Sequence, residues 1–238
     1  MNAFTESLVT AAALIVGADA ALWQVVALSL QVSGLASVFG VTLGMAAGAV
    51  LAVTRFPGHR VLVLVLNTLL ALPPVVVGLT VYLLLSRSGP LGEWGLLFTP
   101  TAMVIAQTIL VLPLAAALTR QLVVDAMHGN GEQLRSMGAG ALLCAALLLV
   151  HERAALLTIA LTAFGRAISE VGAVMIVGGN IAGVTRVMTT TIALETSKGD
   201  LPLALALGLV LLTVVALINL AIVGVRALQS RQDEGRAA

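Results

Sequence analysis

The chain has 238 residues, of which 60% are hydrophobic and only 10% charged, with a mean hydropathy of +1.10 and a formal net charge of +1. An ordinary soluble domain carries about 25% charged residues, so this composition cannot cover a water-soluble core and excludes a soluble enzyme. The balanced charge leaves no general basic or acidic field and no nucleic-acid partner is expected, the length fits one membrane domain, and a single cysteine, Cys144, forbids an internal disulfide.

A helix needs about 20 mostly apolar residues to span a bilayer. Five stretches qualify: 24–53, 61–85, 101–118, 154–177 and 201–225. The expected fold is therefore an all-α polytopic membrane protein with about five transmembrane helices. The opening MNAFTESLVT has neither a basic n-region nor a small-residue cleavage site, so no secretory signal is expected. Residues 8–17 are apolar but too few to span, and Asp19 follows them. They read as an interfacial helix within an N-terminal segment 1–23, with a sixth span as the alternative.

In the first span Ser33, Ser37, Gly40, Gly44 and Gly48 recur every three or four residues, a stripe that lets two backbones approach closely in lipid. It serves internal packing, or else a pore or dimer face. In the second span Pro73-Pro74 removes two backbone donors and should kink or break the helix. Carbonyls freed there must be satisfied by neighbours or line a wet cavity. Isolated Gln107 and Asn219, in the third and fifth spans, suit hydrogen bonds between helices better than substrate binding.

The long connection 119–153 contains Gly129-Asn130-Gly131-Glu132-Gln133, which reads as a turn and a helix start. Asn130 would cap the helix, with Gln133 three residues on as in a capping box. Glu132 would sit in the first turn, where the helix dipole favours negative charge, and Gly138 would end the helix in the left-handed conformation. Such a helix is a docking knob, or an ordinary surface loop. The run 141–150, closed by His151-Glu152-Arg153, is placed at the membrane surface leading into the fourth span.

Within that span Arg166 and Glu170 stand four residues apart. One charge at mid-membrane costs about 2.5–3.5 kcal/mol on insertion scales, and i,i+4 spacing lets the pair neutralise each other. The face gates a pore or dimer seam, locks the helix structurally, or leaves Arg166 free for an anion. After it, the connection 178–200 carries Asn180, Arg186, Glu195, Lys198 and Asp200, and a tail 226–238 follows the last span. With the N-terminus outside, eight arginines (55, 60, 120, 135, 153, 226, 231 and 236) lie inside, against Arg87, Arg186 and Lys198 outside. The positive-inside rule thus favours N-outside, C-inside. His59, His128 and His151 lack metal-ligand spacing, so no metal site is expected. No phosphate-binding G-x-x-x-x-G-K-[ST] loop occurs.

Glu132-Gln133-Leu134-x-x-x-Gly138 resembles the EAA loop of ABC-importer permeases, with Gln133 and Leu134 in place of two alanines. Where that family often has Ile-x-Leu-Pro, this chain reads Leu148-Leu149-Val150-His151. Phe56-Pro57-Gly58, Leu72-Pro73-Pro74-Val75-Val76-Val77-Gly78 and residues 165–173 look like molybdate-type oxyanion permeases. Residues 85–92, 177–181, 185–190 and 192–200 most resemble the tungstate importer's permease. The resemblance covers residues 24–225 and implies a type I importer permease in the bacterial or archaeal cytoplasmic membrane. It further implies a second copy of the chain, a dimer of ATP-binding subunits and an extracytoplasmic substrate-binding protein as partners, with ATP and Mg held by the ATPase and no cofactor here.

On the same resemblance, Asn130, Glu132, Gln133, Arg135 and Gly138 would couple to the ATPase; the charges within the fourth span and the carbonyls freed in the second would put Arg166, Glu170, Pro73 and Pro74 at the pore or gate. Asn180, Arg186, Glu195 and Lys198 would meet the binding protein, or form an ordinary solvated loop. A permease for molybdate or sulfate is the near alternative. From another class, a stand-alone secondary transporter or channel remains, though no internal repeat is visible.

Overall fold

A computed structural model of the chain describes residues 3–17 and 19–237, with the backbone alone at 3, 4, 6, 7, 130, 226 and 228–237. Among the described residues the protein is all helical, with no strand. Helix α1 (Ala3–Val16) has 14 residues, about 21 Å of rise, which falls short of a bilayer core of about 30 Å. Asp19 starts α2 (Ala20–Val53), its Oδ1 accepting the Leu22 N–H at 2.9 Å, as a capping carboxylate does.

The proline pair does more than kink the second apolar stretch. Helix α3 (His59–Leu70) ends, Pro73 adopts an extended φ of −63° and ψ of 128°, and α4 (Pro74–Leu85) begins anew. Pro74 occupies the first turn, where a missing N–H leaves no bond unmade. A compact connection with one 3₁₀ turn, Gly92–Trp94, leads to α5 (Pro100–Ser136), which carries Pro113 in its interior. After α6 (Ala141–His151) and α7 (Arg153–Ile168) come the short α8 (Gly172–Gly178), then α9 (Met188–Lys198) and α10 (Leu201–Ala237).

Helices α2, α5 and α10 are each long and apolar enough to cross a membrane, and the count reaches five if the bent pairs α3–α4 and α6–α7 are each one span. Two expectations change. The fourth stretch is not a continuous helix over 154–177: α7 stops at Ile168, and it joins α6 through a 77° bend instead. Nor is α6 merely a surface run, because Ala145 and Leu148 are buried against Ala49 and Val123, and Cys144 is buried as well. Hydropathy alone could not locate the break after Ile168, since apolar residues resume beyond it in α8.

The residues group into two compact units. The first holds the described residues up to Ala36 with Pro73–Gln107 and Gly165–Leu217. Its α4 and α8 touch closely: a Cβ on Gly78 would fall 2.8 Å from the Ala173 Cα. Helix α9 is tied to α2 by the Met188 N–H donating to Ser29 Oγ at 2.7 Å. Phe98 N–H donates to Val177 O at 3.0 Å, joining α8 to the residues before α5.

The second unit holds Ser37–Leu72, Thr108–Phe164 and the residues from Ile218 on. Here the small-residue stripe does its work. Cβ atoms on Gly40, Gly44 and Gly48 would stand 2.8, 2.7 and 2.3 Å from Val111 Cγ1, the Ala115 Cβ and Ala116 O. The stripe of α2 is thus an intramolecular seam with α5, where backbones meet because neither side offers bulk. After α2, His59 Nε2 lies 2.8 Å from Leu51 O and its ring stands edge-on to Phe56 at 5.5 Å.

Candidate functional site

The predicted coupling segment sits at the end of α5. The expected turn and fresh helix start at Asn130 do not occur, because α5 runs unbroken through Gly129, Asn130 and Gly131 to Ser136. The Asn130 side chain, and with it the expected cap, lies outside the described residues. Glu132 is consequently near the helix C-terminus rather than in a first turn, and Arg135 in the last turn complements the dipole. Each interior glycine costs about 1 kcal/mol relative to alanine. Burial of Val123, with Ala126, Met127 and Leu134 packed around it, outweighs that cost and carries the helix onward.

The expected stop at Gly138 is present. Its φ is +86°, its N–H donates to Arg135 O at 2.9 Å, and the Ala139 N–H donates to Leu134 O at 3.1 Å. Those two bonds define a Schellman cap. Glu132, Gln133, Arg135 and Met137 all remain exposed on this tip. Glu132 and Arg135 also line a 310 Å³ cleft together with Arg55, His128 and Met127. Arg55 and His128 were not among the expected coupling residues. Their basic character after the first span and on α5 was the available signal.

The Arg166–Glu170 pair does not form. Arg166 is in the last turn of α7 and exposed, whereas Glu170 lies beyond the helix end and is only 6% exposed. Residues four apart share a face only within one helix, and α7 stops between these two. Among the described residues the one ion pair is Lys198–Glu195 at 3.0 Å. Glu170 instead accepts the Ala173 N–H at 3.2 Å through Oε1, at the start of α8, while its carbonyl accepts the Thr189 hydroxyl at 2.8 Å. The Gln107 amide donates to Ala167 O at 3.0 Å at the α7 end, the interhelix role expected for it.

This break faces the one at the proline pair. A Cβ on Gly172 would meet Val75 Cγ2 at 2.9 Å, so the start of α4 and the start of α8 abut within the first unit. Protein groups satisfy the named backbone donors and acceptors at the α7–α8 break, which is the condition for irregular backbone at membrane depth.

The connection 178–200 is folded rather than open. Asn180, at φ +50°, donates from Nδ2 to Thr190 O at 3.4 Å, and Arg186 Nη2 donates to Asn180 O at 3.4 Å. Thr185, Thr189, Thr190 and Thr191 are buried, and so is Glu195 at 6% exposure. The ladder of threonines reads as polar in sequence, yet each hydroxyl finds a backbone partner: Thr191, for instance, donates to Val187 O at 2.7 Å. Helix α9 was missed for that reason. Of the four residues expected at this surface, Lys198 is exposed, Arg186 half-buried, and Glu195 turned inward to meet Lys198. Among the described residues no group of three acidic, histidine or cysteine side chains could hold a metal ion.

No protein-family model matches the chain. It is 43% identical over 223 residues to the tungstate uptake system permease protein TupB of Peptoclostridium acidaminophilum, covering 92% of this chain and 96% of that one. It is 42% identical over 207 residues to a probable anion ABC transporter permease protein of Haloferax volcanii, at 83% and 88% coverage. The molybdenum transport system permease protein ModB of Escherichia coli is 31% identical over 189 residues, at 75% and 82%. Such identity over nearly the full length of both partners, in a chain with three to five apolar spans, places this multi-pass membrane protein in the tungstate-type family of ABC transporter permeases.

Proposed function

We propose that this chain is the membrane-spanning subunit of an importer for tungstate, driven by ATP hydrolysis on a separate subunit. The observation that carries the reading is its 43% identity to a tungstate permease, against 31% to a molybdenum permease. In this reading two copies of the chain form the pathway, an external binding protein delivers the anion, and the N-terminus lies outside. The chain itself is not catalytic, and ATP and Mg belong to the partner ATPase. The exposed tip of α5, closed by the Gly138 cap, is the peg that the ATPase pushes. The abutting starts of α4 and α8 form the part of the pathway that opens and closes.

Two measurements test this. Vesicles holding the chain with its ATPase should accumulate tungstate only with ATP and the loaded binding protein. ATP-independent anion flux through the chain alone would establish a channel or secondary carrier instead. Calorimetric titration of the binding protein with tungstate, molybdate and sulfate then ranks the ions. Sulfate binding without the other two would overturn tungstate and leave the permease reading standing.

A further inference from the structure

A cavity of 460 Å³ in the first unit lies between α2 and the loop after α8. One wall is a face of α2 that carries Gln24, Leu28 and Gln31. Residues seven apart return to the same side of a helix after two turns, so both carboxamides point along one stripe. The opposite wall is the loop after α8, with Gly183, Val184 and Arg186. Among the described residues no carboxylate lines the cavity.

Arg186 is the unusual member. Its Nε is buried without a hydrogen-bond partner, and the bond from Nη2 to Asn180 O is long at 3.4 Å. A guanidinium presents five donors in a planar fork, and a buried donor left unmade is costly. Gln31 sits eleven residues into an apolar helix, where an exposed carboxamide facing lipid would also be unfavourable. Side chains that carry donors therefore line both walls of one space, with no carboxylate among the described residues to meet them.

We propose that this cavity is a low-affinity receiving site for the tetrahedral oxyanion, with Arg186 as the charged donor and Gln24 and Gln31 as neutral ones. The inference rests on the oxyanion reading above and deepens it by naming where this chain first holds the ion. Guanidinium pairing supplies the charge-assisted bonds that such an ion accepts. The volume exceeds that of one bare ion, so the site takes it partly hydrated and holds it weakly. A permease that must release its cargo requires that weakness.

The test uses the assembled complex of permease and ATPase in nanodiscs of zwitterionic lipid, without binding protein, and measures bound tungstate by equilibrium dialysis. Arg186→Gln should weaken binding about tenfold, the loss of one charged hydrogen-bond donor. Gln31→Leu, at an exposed position, should weaken it severalfold and keeps the test open if the arginine variant does not assemble. Arg87→Gln, in a separate cleft, should leave binding unchanged. Unchanged binding in both cavity variants would overturn the site, as would an equal loss in Arg87→Gln, which marks general charge attraction. In a second assay with the binding protein added, loss of its docking in Arg186→Gln with tungstate binding intact would assign Arg186 to a protein carboxylate and also overturn the site. Transport by the wild-type complex is read separately. A complex that imports tungstate yet binds none at this cavity overturns the site alone, whereas one that imports no tungstate overturns the function.

Discussion

Glu170 and Arg166 carry opposite charges four residues apart, yet they occupy different environments and should respond differently to substitution. Glu170→Gln keeps an oxygen acceptor for the Ala173 N–H, so it should retain most of the thermal stability and transport. Glu170→Ala leaves a buried donor unpaired, which costs about 1–3 kcal/mol and should lower the melting temperature of the purified complex. Because no ion pair joins the two side chains, the double substitution Arg166→Ala/Glu170→Ala should be additive to within about 0.5 kcal/mol. A coupling energy above 1 kcal/mol in that cycle would restore the pair. The glycines give a second contrast. A methyl on Gly48 would sit 2.3 Å from Ala116 O, whereas one on Gly34 meets nothing within 4 Å. Gly48→Ala should therefore destabilise by about 1–3 kcal/mol, while Gly34→Ala should be neutral or stabilising by up to about 1 kcal/mol. Thermal shift of the two single variants, measured side by side, decides it.

At the scale of the element, the α5 tip makes the sharpest claim. Gly138 holds φ +86°, a conformation that costs an ordinary side chain about 1–2 kcal/mol, and a β-branched one still more. Gly138→Val should leave the spans folded but misdirect the chain into α6. The expected result is a complex whose ATP hydrolysis no longer rises when loaded binding protein is added. An unchanged response would remove the tip from the coupling route. The stop at Gly138 was legible in the sequence because a left-handed glycine needs only local geometry. The start was not, since Gly129-Asn130-Gly131 carries every local signal of a helix beginning. Only the packing of Val123 and Leu134 against α2 and α6 residues tells the helix to continue. The same asymmetry explains α8 and α9. A hydropathy window passes straight through the break at Glu170 and sees too little apolar character in Met188–Lys198. The apolar stretches 24–53, 101–118 and 201–225, by contrast, lie within the single long helices α2, α5 and α10, and the break at Pro73 was legible because a covalent ring rather than a neighbour sets the backbone there.

For the whole molecule, the orientation derived from basic residues can be checked directly. Cys144 is fully buried, so a Cys144→Ala background should fold with at most a modest loss. On it, Ser197→Cys should react with a membrane-impermeant maleimide in intact cells, and Ser136→Cys only after permeabilisation. The reverse pattern would invert the topology. The seam between α2 and α5 also bears on how assembly can be studied. Its glycines are already filled by the chain's own alanines and valine, so a bridge engineered between the two helices would staple one polypeptide to itself. On a denaturing gel such a staple leaves the band at the mass of a single chain. Crosslinking surveys that begin from the smoothest helix face would thus come back silent about any neighbouring copy.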